Sequence, residues 1–517
     1  MASLARTLRT VRTLRPGRLG VDLVGVFDLV GAVLTYVGGA FLVPAAVAIG
    51  YGEPFWPFLA GGALTAAVGY TLDRLTPVGR REQVGPREGF LVVALVWLLV
   101  PAFGCLPFVL GDVPQLSNPV NAYFEAVSGF TATGATVLVD IEALDHSMLF
   151  WRQFSHWLGG MGIIILAVAV LPRLRIGGRQ LLQSELAGPT ELERLTSTIR
   201  DTARRLWVLY VALTALAVFV LATFGWTGID PAMTLFDAVG HALSVVALGG
   251  FSTQNDSIAA FSGATQWFLL TVMVLAGINF LRLYRVFVQR QVRTVARDQE
   301  LGLYLALLVA GSALVVVELD TGGFAEGEGA VRSAIFQTVA IMTTTGFATD
   351  DYTRWGPLGA LTLLGLMFIG ASAGSTGGSI KVVRHLLLVK IMRRELRQAV
   401  HREAVVPIRL SGAVVDERAL RSAIGFVVLY IGTFALGAVG LVIDARRTET
   451  EIAAFEAIGA AAACLGNVGP AFGFAGPFGS YEPFSNVSTG ILAVLMWLGR
   501  LEIVPVAVLF MRGYWRP

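Results

Sequence analysis

Phe124-Glu125-Ala126-Val127 opens a short apolar segment that runs into Thr133-Gly134-Ala135-Thr136, and the pattern returns three times further along the chain. The later copies read Phe236-Asp237-Ala238-Val239 into Gly249-Gly250-Phe251-Ser252, then Phe336-Gln337-Thr338-Val339 into Thr345-Gly346-Phe347-Ala348. The last reads Phe455-Glu456-Ala457-Ile458 into Val468-Gly469-Pro470-Ala471. Counted from each Phe, the glycines Gly134, Gly250, Gly346 and Gly469 follow at 10, 14, 10 and 14 residues. Gly466 rivals Gly469 in the fourth copy, but the 14-residue offset shared with the second copy favours Gly469. Self-similarity of this kind identifies a repeat. Each segment is shorter than the ~20 residues that cross a ~30 Å hydrocarbon core, and too apolar for a free loop. Re-entrant half-helices that return as extended backbone fit both limits.

Long apolar runs flank every copy, near 89–110 and 149–172, 205–225 and 265–288, 301–319 and 356–391, and 420–443 and 487–511. Two more, about 24–50 and 54–72, precede them as a hairpin around Tyr51, Gly52, Glu53 and Pro54. The pattern predicts an all-α integral membrane fold of about ten spans: four tandem membrane, pore-loop, membrane repeats around one pseudo-fourfold pore, after two extra helices. The divisions are 1–88 for the hairpin and 89–200, 201–298, 299–417 and 418–517 for the repeats. Composition agrees, with 55% hydrophobic and 15% charged residues, against about 25% charged in soluble domains. The net charge of +3 forms no aromatic-interleaved patch, which argues against nucleic acid. Cys105 and Cys464 belong to no C-x-x-C pair and read as packing residues.

Basic residues set the orientation. None occurs from Gly111 to Phe150 or from Gly225 to Trp267, and the other two intervals hold only Arg332, Arg354, Arg446 and Arg447. The positive-inside rule therefore puts all four loops outside and both termini in the cytoplasm. The first ~20 residues, Arg-rich and without Asp or Glu before Asp22, have the composition of a transit peptide, but a basic leader before the first membrane helix is the favoured reading.

A ring of four such loops would present backbone carbonyls to a central axis. Their dipoles replace the water shell of a monovalent cation without the tight binding of a carboxylate ring. Glycine is required where convergence demands backbone angles that a β-carbon disfavours, and the half-helices would aim their negative ends at the ion. The expected site is therefore the carbonyls of Thr133, Gly134, Gly249, Gly250, Thr345, Gly346, Val468 and Gly469. Glu125, Asp237 and Asp350 are read as facing the outer solution, as a cation-concentrating mouth or as solvated surface. The five His residues form no H-E-x-x-H pair or Ser-His-Asp grouping, so an enzyme finds no support and no bound cofactor is expected.

Gly370 to Gly378 interrupts the second helix of repeat three, at a depth where unpaired backbone is tolerated only beside protein or water. Gly370-x-x-x-Gly374 as a helix-packing motif competes with this reading. A phosphate loop fails, because Lys381 does not directly follow the last Gly. Arg500 stands within the last apolar run, where a lone charge usually faces a partner or a watery cavity.

Trp151-Arg152-Gln153 continuing to Trp157-Leu158-Gly159-Gly160-Met161-Gly162 resembles the TrkH-type membrane subunit of the Trk/Ktr/HKT potassium transporter superfamily. So do Gly374-Ser375-Thr376-Gly377-Gly378-Ser379-Ile380-Lys381 and Gly499-Arg500-Leu501-Glu502. The resemblance covers nearly the whole chain. It implies potassium uptake as cargo transport, a homodimer in the cytoplasmic (inner) membrane, and a TrkA-type cytoplasmic nucleotide-binding subunit that gates the pore. It also implies that Gly374 to Gly378 with Lys381 form an intramembrane gate loop beside Arg500. In that family glycine in all four loops goes with potassium selectivity. A sodium- or proton-coupled secondary cation transporter is the alternative; alternating access predicts inverted repeats, whereas these share one orientation.

Overall fold

The computed structural model describes residues 20–74, 85–162, 199–324 and 327–516. The basic leader, Arg80 and Arg81 of the first link, and the stretch 163–198 ending repeat 1 lie outside the described residues.

The hairpin comprises α1 (Leu23–Ala40), α2 (Leu42–Tyr51) and α3 (Trp56–Arg74). α1 and α3 cross where Gly31 faces Gly69 and Gly38 faces Gly62. A β-carbon on Gly31 would lie 2.6 Å from the Gly69 carbonyl oxygen, and one on Gly62 would lie 2.9 Å from that of Gly38. Small residues at both crossings let the backbones touch, which is how helices associate in lipid. The turn between α2 and α3 then reaches repeat 1 through Glu53.

Repeat 1 contains α4 (Pro86–Gly104), α5 (Leu106–Leu110), α6 (Pro119–Phe130) and α7 (His146–Gly160). Glu53 accepts hydrogen bonds from His146 N and Ser147 N, both at 2.8 Å, and so caps α7 from the hairpin. Partial burial works to raise the Glu53 pKa, but these donors outweigh it and hold the carboxyl below its ordinary value.

Repeat 2 contains α8 (Ile199–Thr227), α9 (Leu235–Ala247), α10 (Gly263–Ala276), α11 (Phe280–Phe287) and the short α12 (Val292–Ala296). Repeat 3 has α13 (Gln299–Thr321), α14 (Gly327–Met342), α15 (Pro357–Met367) and α16 (Val382–Val400). A tight hairpin, β1 (Arg409–Leu410) with β2 (Ala413–Val414), pairs Arg409 with Val414 and Leu410 with Ala413 before repeat 4. Repeat 4 is α17 (Glu417–Thr448), α18 (Ala454–Gly466), α19 (Asn486–Arg500) and α20 (Val504–Leu509). α6, α9, α14 and α18 are the four pore helices.

This is an all-α membrane fold, with one refinement of the ten expected spans. Among the described residues five stretches are long and apolar enough to cross a bilayer unbroken: 23–51, 87–110, 203–227, 299–321 and 417–448. α10 and α11 form a sixth only as a pair bent by 105°. Of the other apolar runs, one is the 19-residue α3, one begins with α7 and continues beyond the described residues, and two are interrupted, as α15 with α16 and α19 with α20. The second helices of repeats 2, 3 and 4 all break, at 277–279, 368–381 and 501–503. Averaged hydropathy does not register the breaks at 277–279 and 501–503, because the one or two polar residues at each barely change the mean over a span. At the first break Asn279 caps α11 through Leu281 N (2.8 Å); at the last, Glu502 and Ile503 adopt left-handed backbone (φ 56° and 59°).

Candidate functional site

All four pore helices end in the same way. The amides of Ala132, Leu248, Thr344 and Asn467 bond three residues back, to Gly129, Val245, Ile341 and Cys464, at 3.0–3.2 Å. Those of Thr133, Gly249, Thr345 and Val468 bond five back, to Ser128, Ser244, Ala340 and Ala463, at 2.8–2.9 Å. This pair of bonds is the Schellman cap, whose turning residue is left-handed. Here that residue is never glycine: Ala132, Leu248, Thr344 and Asn467 hold φ of 51°, 55°, 60° and 52°. Left-handed backbone costs a non-glycine residue about 1–2 kcal/mol. Two capping hydrogen bonds, each worth about 0.5–1.5 kcal/mol net, offset it.

Two residues on, Gly134, Gly250, Gly346 and Gly469 are again left-handed, at φ 84°, 86°, 78° and 101°. The reason for glycine is more than conformational. A β-carbon on Gly134 would lie 2.3 Å from Gly249 O, one on Gly250 2.0 Å from Thr345 O, one on Gly346 2.1 Å from Val468 O, and one on Gly469 2.5 Å from Thr133 O. Each glycine thus abuts the carbonyl before the next glycine, and the fourth contact returns to the first loop. The eight expected residues form a closed ring in chain order. Gly466 is outside it, as the last residue of α18. Residues of all four loops, among them Gly134, Gly250, Gly346 and Pro470, line a cavity of about 60 Å³. Among the described residues there is no cluster of three His, Cys, Asp or Glu side chains.

Behind the ring, pore-helix side chains tie down the strands that leave it. Glu125 accepts from Thr136 Oγ1 (2.9 Å) and Val137 N (3.1 Å), and from buried Arg152 Nε (2.8 Å). Asp237 accepts from Thr253 Oγ1 at 2.5 Å, and His241 Nε2 lies 2.9 Å from Ser252 Oγ. Gln337, with its amide oxygen toward the strand, accepts from Thr349 N (2.8 Å) and Asp350 N (3.2 Å). In the fourth loop Tyr481 donates its hydroxyl to Gly469 O at 2.8 Å instead. The outward-facing reading of Glu125 and Asp237 is therefore corrected: both are buried, since their carboxylates serve as acceptors for the returning strands. Arg152 also spans two loops, with Nη1 3.4 Å from Ser252 O and its guanidinium 4.0 Å over the Phe251 ring. His156 stacks on the same ring at 4.1 Å.

The glycine-rich break lies directly against the pore-helix ends. Thr376 Oγ1 donates to Val246 O of α9 (3.2 Å), and Gly378 N to Thr344 Oγ1 after α14 (2.7 Å). A β-carbon on Gly378 would lie 2.4 Å from Gly466 O of α18. Arg500 donates to Thr376 O and to Gly159 O of repeat 1, both at 2.8 Å. A segment that contacts the pore-helix ends of repeats 2, 3 and 4 and is joined to repeat 1 through the Arg500 side chain crosses beneath the ring. Gly374 (φ 76°) is left-handed, its carbonyl accepts from Phe280 N at 3.1 Å, and Ser375 Oγ donates to Ser372 O at 2.7 Å. Lys381 Nζ donates to Gly377 O. The packing motif Gly370-x-x-x-Gly374 falls instead in this nonhelical segment, between α15 and α16.

Residues 58–515 match the family described as TrkH, cation transport protein. The chain belongs to the TrkH family. It is 36% identical over 498 residues to the Trk system potassium uptake protein TrkH of Escherichia coli (strain K12), covering 94% of this chain and 98% of that one. It is 33% identical over 440 residues to TrkG of the same organism, covering 84% and 86%. In structure it resembles the potassium transporter TrkH from Vibrio parahaemolyticus, with a TM-score of 0.83 at 32% identity, covering 96% of this chain and 100% of that one.

For this TrkH-family chain, sequence reasoning missed three features of the site. The left-handed residues before the ring are Ala, Leu, Thr and Asn, and only Asn carries a signal for that conformation. The Phe of each repeat is not at an equivalent position: it is the second residue of α9 and α18 but lies further along α6 and α14. The alternating 10 and 14 offsets were the available clue, since four residues are about one helical turn. The third is the Arg152, Phe251 and His156 stack, because no spacing rule brings residues of different repeats together.

Proposed function

We propose that this chain is a potassium uptake subunit of the cytoplasmic membrane, conducting the ion through the ring of backbone oxygens at Thr133/Gly134, Gly249/Gly250, Thr345/Gly346 and Val468/Gly469. The observation that carries the reading is the closure of that ring: four glycines, each fixed by a carbonyl of the next loop. Carbonyl dipoles in several planes dehydrate a monovalent cation without trapping it. A β-carbon on any glycine would displace an oxygen of the neighbouring loop. The family membership and the potassium uptake proteins among its relatives support the choice of ion.

Below the ring, Gly374 to Gly378 with Lys381 act as the gate, held across the path by Arg500. A loop with two arrangements is an element that a cytoplasmic partner can bias; a TrkA-type nucleotide-binding subunit is the proposed partner, and the assembly a homodimer. The loops face outward and both termini the cytoplasm, with the hairpin at 1–88 and repeats at 89–200, 201–298, 299–417 and 418–517. The shared orientation of the repeats favours a pore over sodium- or proton-coupled alternating access. The test is flux through purified protein in proteoliposomes with potassium, rubidium and sodium compared. Potassium and rubidium should pass and sodium should be retarded; equal passage of all three would reject the filter.

A further inference from the structure

We propose that the groove between α8 and α11, on the face opposite the pore loops, binds the anionic headgroup and upper acyl chain of a membrane phospholipid. The groove encloses about 530 Å³. One wall is α8, where Arg204, Val208 and Ala212 recur every fourth residue on one side, beside Arg205 and Leu209. Eight residues of helix rise about 12 Å, so the wall passes from two guanidiniums to purely apolar surface over the depth that separates a headgroup from the first carbons of its chains.

The other wall is α11 and its end, represented by Tyr284 and Val288. The 105° bend after α10 turns α11 away from the line of that helix. Its inner side, Phe280, Leu281 and Leu283, is buried, while Phe287 and Val288 remain 60% and 57% exposed. A short helix turned aside from a span, with large apolar side chains left uncovered and Arg285 and Arg290 nearby, has the character of an interfacial helix.

Charge selects the occupant. Among the described residues no Asp or Glu lines the groove, and none pairs with Arg204 or Arg205. Arg205 Nη1 donates to the Tyr284 hydroxyl at 3.0 Å, with its guanidinium 5.7 Å from that ring, which leaves its remaining donors for a phosphate. Basic pockets between helices on the cytoplasmic side recognise anionic headgroups through such donors. A free phosphate would satisfy the arginines equally but leave Val208 and Ala212 facing an empty apolar trough, so a phosphodiester carrying chains fits the whole groove. This placement at the inner leaflet rests on the orientation proposed above.

Native mass spectrometry of the full-length protein, released from detergent with phosphatidylglycerol or phosphatidylcholine, tests the proposal. Phosphatidylglycerol should be retained about thirtyfold better than phosphatidylcholine, as two headgroup arginines imply. The Arg204→Gln/Arg205→Gln variant should abolish that preference, and Ala212→Trp, which fills the trough with both arginines present, should also weaken retention. Excess inorganic phosphate should not displace the lipid. Equal retention of the two lipids by the wild type, retention unchanged in either variant, or displacement by phosphate would each overturn the assignment. All three positions border solvent or lipid rather than the core, and unchanged elution and melting of the variants verify their fold. Because binding is read without ion flux, loss of transport in a protein that holds lipid normally would count against the transport reading alone.

Discussion

Loops 1 and 3 reach the ring with Thr-x-Thr-Gly, whereas loops 2 and 4 reach it with Leu248-Gly249-Gly250 and Asn467-Val468-Gly469. In the odd pair two hydroxyls fasten the turn, Thr131 to Thr133 at 2.6 Å and Thr343 to Thr345 at 2.7 Å. The even pair has no such hydroxyls and borrows support from neighbours. Gly249 packs so closely on His156 that a β-carbon would sit 2.2 Å from Nδ1, and Asn467 Nδ2 donates to Thr133 Oγ1 and Met496 O at 2.9 Å each. The backbone is nonetheless the same in all four, cap for cap and glycine for glycine. The ring is thus a property of the main chain, and side chains are free to differ as long as each loop is held by something.

The strongest way to break this comparison is at the glycines, where odd and even loops should behave alike. Gly134→Ser and Gly250→Ser should each lower the potassium-to-sodium flux ratio by about tenfold or more, since each added carbon collides with a carbonyl of the next loop. Unchanged discrimination in the Gly250 variant would confine the role of the ring to the odd loops. Next come the odd loops themselves, which use a charged anchor in one case and a neutral one in the other. Glu125→Ala strands buried Arg152 and should cost about 3–5 kcal/mol in thermal unfolding. Gln337→Ala should cost only about 1–2 kcal/mol. Equal losses would mean that the Arg152 pair contributes nothing beyond its hydrogen bonds.

Arg500 belongs to an even repeat but joins two odd ones. Arg500→Ala removes charge-assisted bonds of about 1.5–3 kcal/mol each, and basal potassium flux should rise several-fold with selectivity retained. Deleting Gly374 to Gly377 should do the same; a fall in flux would recast the loop as support for the ring. The smallest effect is expected for Thr345→Val, about 1 kcal/mol in melting, because Thr343 Oγ1 keeps its bond to Val339 O at 2.7 Å.

Much of this architecture was legible because glycine is the one residue that marks its own conformation. Gly134, Gly250, Gly346 and Gly469 recur after short apolar segments, and that pattern led to the ring. Gly374 to Gly378 revealed a break for the same reason. The breaks at 277–279 and 501–503 were not anticipated, since Gly277, Asn279 and Glu502 are isolated signals inside apolar runs. Nor could the sequence reveal that Glu125 and Asp237 turn inward. An acidic residue near a loop resembles solvated surface until the amides and hydroxyls that it accepts from are brought beside it, and Thr253 stands 16 residues beyond Asp237.

The Glu53 cap has a consequence for the order in which the protein is made. Its carboxylate and the two amides that it receives are 93 and 94 residues apart in the chain. At synthesis rates of about 5–20 residues per second, the acceptor precedes its helix by roughly 5–20 s. The paired helices of the hairpin, sealed along their glycines, can enter the bilayer and settle before α7 leaves the ribosome. A hairpin that settles in that interval would hold its carboxylate ready for the start of that helix. The two helices outside the fourfold pattern thus supply a mould for the first repeat, which in turn presents Arg152 and His156 to the second.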